Sequence, residues 1–206
     1  MYNPPAFREA DLALQHQFMR ERRFGLVVSG GAGLMATSLP LLLDTAVAPL
    51  GVLSGHVSKA NDHWKTLDGA DVLVVYQGPD AYVTPSWYPS KAEHGTVVPT
   101  WNYVMVQVRG TARVMHDADW LHRHVTALTE VHEQSRDEPW HVSDAPSSYI
   151  AAQIRGIVGV EIAIREIDGK RKVSQNRAVA DRLGVADGLA RDGHSDMADL
   201  VRARAT

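Results

Sequence analysis

The sequence predicts an α+β protein in which an antiparallel sheet or barrel carries helices packed on its outside. Strand-like runs follow one another directly over 24–57 and 71–115, without the strand–helix alternation that a parallel sheet requires. Helical periodicity falls at either side of these runs, in about four or five segments against about seven strands. Apolar residues make up 45% of the 206 and charged residues 22%, so a full core can be built in one domain and disorder is not expected.

In chain order, 8–23 reads as a helix, with Leu14 and Phe18 one turn apart. Phe24 to Val28 reads as a strand, 29–33 as a glycine-rich turn and 34–43 as the returning strand, a hairpin pattern. A third strand covers 50–57. A short helix follows over 58–67 with Ser58 as its N-cap. Strands at 71–77 and 81–83 precede a proline-punctuated irregular stretch, 84–100. Alternation around Val104, Val106 and Val108 makes 101–115 a long strand, bent at Gly110. The next helix, 117–136, presents Leu121, Val125, Leu128 and His132 on one face, and 147–155 is another. Val158, Val160, Ile162 and Ile164 alternate in a strand that Asp168-Gly169 turns back into 170–173. A final helix and a frayed tail run from Ala178, the tail from about residue 190.

Composition excludes several chemistries. With no cysteine, disulfides, thiolate nucleophiles and Cys-based metal sites are absent. The first residues carry no apolar run of signal-peptide length, and nothing approaches the roughly 20 apolar residues that span a bilayer, so the expected address is the cytoplasm, with no membrane partner. The net charge is −3 and the pI about 6.3, whereas DNA-binding domains show a basic face. The basic clusters at 20–23 and 170–172 and at Arg202 and Arg204 read as solvated faces, with a phosphate site as the sharper alternative for Lys172. Ten histidines invite a metal, but His122 and His124 lie about 200° apart on a helix and cannot share one ion. No metal site is expected. Gly31-x-Gly33-x-x-Ala36 matches a dinucleotide-binding fingerprint, yet strand-like residues and Pro40 follow where that motif needs a helix, so a hairpin turn is expected instead.

Four segments could carry chemistry. Gly55 to Asn61 joins a strand to the expected helix, where Ser58, Lys59 and free N–H groups would cradle a phosphate; the alternative is a solvated Lys59. Pro85 to Lys91 fixes Trp87 and Tyr88 on a rigid loop suited to a flat ligand or a subunit interface, or to plugging the barrel end. Trp101 and Tyr103 share one strand face and Asn102 the other. Lys172 to Arg177 closes the last strand with polar and charged side chains. No nucleophile–base pair can be argued from spacing, and no catalytic residue is assigned.

Taken together, "MYNPPAF", "GHVSKAN", "GPDAYVTPSWYPSK", "VPTWNYV", "IVGVEIAI" and "GKRKVSQNR" resemble, in order and spacing, the PaiB-type proteins, described as FMN-binding negative transcriptional regulators. The resemblance implies the flavin-reductase-like split β-barrel, also seen in pyridoxamine-phosphate oxidases, with FMN in clefts of a homodimer. It implies that Met35, Ala36, Thr37 and Ser38 run beside the flavin ring. His56, Val57, Ser58, Lys59 and Asn61 would hold the phosphate or ribityl chain. Trp101, Asn102, Lys172 and Gln175 would approach the cofactor, and Trp87, Tyr88 and Lys91 would border a substrate. The commoner family form of the phosphate segment is His-x-Ala-Arg-Ala-Asn. Lys59 keeps the charge but lacks the guanidinium fork, which implies weaker FMN binding. The implied function is a cofactor-binding regulator. An FMN-dependent oxidoreductase and a haem-binding or haem-degrading barrel are the alternatives. Direct DNA contact would require the dimer to gather Arg20, Arg22 and Arg23, or the tail arginines, on one side.

Overall fold

A computed structural model describes residues 1–31 and 33–204. In chain order the elements are β1 (Arg8–Glu9), α1 (Leu12–Arg22), β2 (Phe24–Ser29), β3 (Met35–Pro40), β4 (Leu42–Asp44), β5 (Val52–Ser58), β6 (Asp71–Val83), α2 (Ser90–His94), β7 (Thr100–Met115), α3 (Ala118–Glu133), α4 (Ser147–Arg155), β8 (Ile157–Lys172), α5 (Val179–Arg191) and α6 (Ser195–Arg202). The strands form one antiparallel sheet in the order β3-β2-β6-β7-β8-β5-β4, and β1 pairs with β8. The chain divides into two compact units. Unit 1 comprises 1–18, 77–107 and 168–206, and unit 2 comprises 19–76 and 108–167.

In unit 2, the hairpin expected around the glycines is β2–β3, with Val27 opposite Thr37 and Leu26 opposite Ser38. Ala32 lies outside the described residues. The dinucleotide reading fails as expected, because 35–40 are strand. The expected single strand 34–43 is broken at Leu41, whose N–H leaves the ladder to donate to the Arg23 carbonyl at 2.7 Å. The break lets β3 pair with β2 and β4 pair with β5, from one end of the strand order to the other. Leu39 and Leu41 crowd Gly55, where an added Cβ would come 2.6 Å from Leu39 Cδ1. The sheet therefore curls on itself here, as a barrel does. Gly110 sits mid-strand for a related reason: a Cβ would meet the Ala163 carbonyl oxygen at 2.4 Å.

Three expectations in unit 2 are corrected. β5 runs on through Ser58, and in place of the expected helix 58–67 stands a 3₁₀ segment, Asp62–Thr66, capped by Asn61, whose side chain accepts from His63 N–H. The Ser58 oxygen accepts from Ala60 N–H instead. α3 begins at its Asp117 cap and buries Leu121 and His124, whereas His132 is exposed, because the apolar stripe drifts to Val131.

In unit 1, β1 takes residues expected to be helical and pairs Arg8 with Lys170 and Glu9 with Gly169. That pairing keeps β8 extended through Asp168-Gly169, so the expected turn does not form; Asn3 Nδ2 donates to both the Asp168 carboxylate and the Gly169 carbonyl. β6 likewise runs unbroken through 78–80. The expected final helix is α5, and the tail expected to fray is instead α6; together they contribute Val185, Ala186, Leu189, Met197, Ala198 and Val201 to a core with Ala81, Val83, Tyr88, Val104 and Val173.

Candidate cofactor site

The residues singled out by sequence fall into two sets, one in each unit. In unit 2, β3 alternates: Ala36 and Ser38 are exposed while Met35 and Thr37 are half-buried. As a terminal strand of the sheet order, β3 pairs on one side only. Asn61 leans back onto it, its Nδ2 donating to Thr37 Oγ1 at 3.2 Å. Beneath both lies His63, which is 1% exposed. Its Nε2 is 2.8 Å from Ser29 Oγ and its Nδ1 is 2.9 Å from Thr37 Oγ1. Burial holds this imidazole below its ordinary pKa, which favours the neutral ring that can bridge two hydroxyls. The loop 58–61 is tied further by Lys59 N–H to the Gly156 carbonyl and by Trp64 Nε1–H to the Lys59 carbonyl. Ser58 and Lys59 are exposed, and no carboxylate among the described residues pairs with the Lys59 ammonium.

The helix-terminus cradle expected at Lys59 is not present. A five-residue 3₁₀ segment carries little dipole, and its first residue, Asp62, already pairs with Lys65 at 2.6 Å. What stands in its place is a pinned loop with a free cation beside a strand edge. That donor set suits an anionic group on a planar, hydrogen-bonding ring.

His56 and Val57 point elsewhere. Val57 is buried with Leu53 and Gly55, while His56 lies on the other face of β5. There its Nδ1 is 3.1 Å from His124 Nε2 on α3, and Trp120 stacks on His124 with centroids 5.2 Å apart. The indole fits because residue 159 is glycine: a Cβ would lie 2.3 Å from Trp120 Cζ3. Burial, then the His56 charge, pushes the His124 pKa down to about 4. Among the described residues, no cluster of three or more potential ligands could hold a metal ion.

In unit 1, the indole of half-exposed Trp101 donates to Asp80 at 2.9 Å and meets Tyr82 edge-on. Asn102 is fully buried and donates to Ser174 Oγ at 2.9 Å. Lys172 Nζ donates to Thr100 Oγ1 at 2.5 Å. Gln175 closes its own turn, accepting from Val173 N–H and donating to the Arg171 carbonyl. The 85–91 segment is not an open loop. The Trp87 ring fills a notch left by Gly188, Tyr88 is 3% exposed in the core, and only Lys91 of the three is exposed. Sequence reasoning missed Ser29, His63, His124 and Trp120, whereas Thr100 and Arg177 fall in segments it marked without a role of their own. His63, two residues beyond an Asn that caps, was the one with a local signal.

Residues 1–166 match the family described as "Putative FMN-binding domain". The chain belongs to this family. FMN is accordingly its cofactor, and the pinned loop and strand edge of unit 2 are compatible with it. Two relatives span nearly the whole chain. The protease synthase and sporulation protein PAI 2 of Bacillus subtilis is 32% identical over 98% of this chain and 96% of its own. An uncharacterized protein of Emericella nidulans is 32% identical over 99% and 97%. The fold is shared with solved structures of low identity. The FAD and heme binding protein from Mycobacterium smegmatis has a TM-score of 0.59 at 16% identity, covering 80% of this chain and 73% of that one. The flavocytochrome Anf3 from Azotobacter vinelandii has 0.57 at 14%, covering 80% and 69%. The expected antiparallel split β-barrel with peripheral helices is thus the observed fold. Lys172 and Gln175 fall beyond the matched residues of the family, though within the span of both relatives.

Proposed function

We propose that the chain is a homodimeric FMN-binding protein of the PaiB type, regulatory through its flavin state or a partner protein rather than by gripping duplex DNA. The observation that carries the reading is the loop 58–61, held on β3 by Asn61 and His63, with the Lys59 ammonium in no ion pair among the described residues. Lys59 and Ser58 would take the FMN phosphate, and the Ala36–Ser38 edge with Thr37 would border the ring. When bound, FMN supplies redox chemistry, while these residues bind and orient it. Met35 opens the same strand, its sulfur accepting from Thr66 Oγ1. His56 and Val57 would act only through the backbone of β5. The unit 1 residues Trp101, Asn102, Lys172 and Gln175 enter the reading by resemblance alone.

The homodimer is supported by the outward face of the β2–β3 hairpin, where Phe24 is 62% exposed and Leu26 38%, opposite Pro40 and Ser38. The net charge of −3 speaks against direct DNA binding. An FMN-dependent oxidoreductase is the second reading, because bound FMN would supply redox chemistry whatever the partner. The deciding test is the absorption spectrum after incubation with FMN and desalting. Flavin bands at about one FMN per chain support the reading, and NADH and NADPH oxidation then separates enzyme from regulator. A chain that retains no flavin even from excess FMN overturns it.

A further inference from the structure

The end of β8 gathers three cations in unit 1 that form no ion pair among the described residues, with the Asp181 carboxylate acting on the Tyr88 hydroxyl beside Arg177. Lys170 is 6% exposed, and its Nζ donates to the Tyr2 carbonyl and lies over the rings of Tyr2 and Tyr103, 5.5 and 5.1 Å from their centroids. Lys172 is half-buried and bonded to Thr100 Oγ1. Arg177 lies 5.0 Å over the Tyr88 ring, at the end of a tight turn in which Ser174 takes a left-handed conformation (φ 61°). Four carboxylates of the same unit are engaged elsewhere: Glu9 with Arg171 and Arg204, Asp168 with the terminal amine and Asn3, Asp181 with Ser90, and Asp80 with the Trp101 indole. Burial, then the charges of Lys170 and Arg177, push the Lys172 pKa below its ordinary value.

A second observation lies two residues beyond Thr100 on β7 and two beyond Lys172, past the end of β8. The Asn102 side chain donates to Ser174, yet its Oδ1 is buried without a partner. Stripping cations of water beside like charges is unfavourable, as is leaving a buried amide oxygen unmet, unless a further group completes the site.

We infer that Lys172, Arg177 and Thr100 form an oxyanion site on unit 1 that takes the phosphate of a small molecule, above a floor made by the buried Asn102–Ser174 pair. The phosphate could come from FMN itself or from a second, phosphorylated ligand. The site stands on unit 1 residues alone; if its phosphate is that of FMN, it replaces Lys59 and Ser58 as the phosphate holders, and if it is that of a second ligand, the unit 2 assignment stands.

The test is thermal unfolding of the full chain in inorganic phosphate against chloride at matched ionic strength. The wild type should rise saturably with phosphate. K172Q and R177Q should lose at least tenfold in apparent phosphate affinity, and K172R should restore it. In chloride alone K172Q should unfold no earlier than the wild type, because it removes a repelled cation; a merely structural lysine would give the opposite. If K172Q does not fold, R177Q carries the titration. Phosphate acting no better than chloride on the wild type, or a full phosphate response in both Gln variants, overturns the inference. FMN and riboflavin titrations distinguish the sources. Tenfold weaker FMN with unchanged riboflavin in K172Q assigns the site to the cofactor's phosphate. Unchanged FMN, with phosphate still stabilising the FMN-saturated wild type, assigns it to a second ligand. A wild type that binds no FMN would defeat the proposed function and leave the phosphate arm readable.

Discussion

His63 holds together three parts of the chain at the scale of one side chain. Its ring bridges Ser29 and Thr37, and its backbone N–H satisfies the Asn61 cap. H63A strands two hydroxyls and opens a buried gap, so it should lower stability by about 1–3 kcal/mol, read as a urea midpoint shift. It should also weaken FMN binding more than a mutation of equal stability cost far from the loop. The His56–His124 pair gives a pH dependence with a defined sign. The folded pKa of His124 lies near 4, below its unfolded value of 6.5. The unfolded chain therefore takes the proton first. Stability is full above about pH 6.5 and falls as pH drops toward 4, by up to roughly 3 kcal/mol. Urea midpoints at pH 7.5 and 4.5 check this, and H124F should flatten the difference; a midpoint unchanged between the two pH values would contradict it.

Elements dock here through glycines that leave room for rings. Trp120 of α3 occupies the space above Gly159, and the Trp87 ring occupies the space above Gly188, with a Cβ there only 2.3 Å from Trp87 Cδ2. Alanine at either position must displace an indole in a packed interior, and G159A or G188A should each cost about 1–3 kcal/mol in chemical denaturation. Gly31, with φ of 129° and nothing within 4 Å of a built Cβ, is a contrasting case: strain there comes from the backbone rather than from packing. α3 depends also on its cap, where the Asp117 carboxylate accepts from Trp120 N–H at 2.7 Å. D117A should cost about 1 kcal/mol and, because Trp120 sits in the first turn, should perturb the indole fluorescence as well.

On the scale of the whole molecule, the apolar face of β2–β3 bears on assembly. A charge at Phe24 or Leu26 would lie on an exposed sheet face and leave the core intact. F24E with L26E should therefore convert a dimer to a monomer in sedimentation while the monomer keeps its far-UV spectrum. A wild type that sediments as a monomer would remove the dimer from the proposal.

Alternation and punctuation were enough to place most strands and the α+β class, because a strand's burial period and a proline's missing N–H act locally. The β2–β3 hairpin, α4 and the rejection of the dinucleotide fingerprint all followed from neighbours within a few residues. Residue type marked the loop 55–61 and the end of β8 as chemically interesting. Tertiary structure decided the rest. Asp168-Gly169 is turn-like in isolation, yet stays extended because β1, some 160 residues earlier, supplies its ladder partners. The tail reads as polar, yet α6 is helical because Met197, Ala198 and Val201 find a core to enter. The break at Leu41, the bridge from Ser29 through His63 to Thr37, and the unpaired cations around Lys172 all depend on groups far apart in sequence. No local propensity encodes which donor meets which acceptor once the sheet has closed.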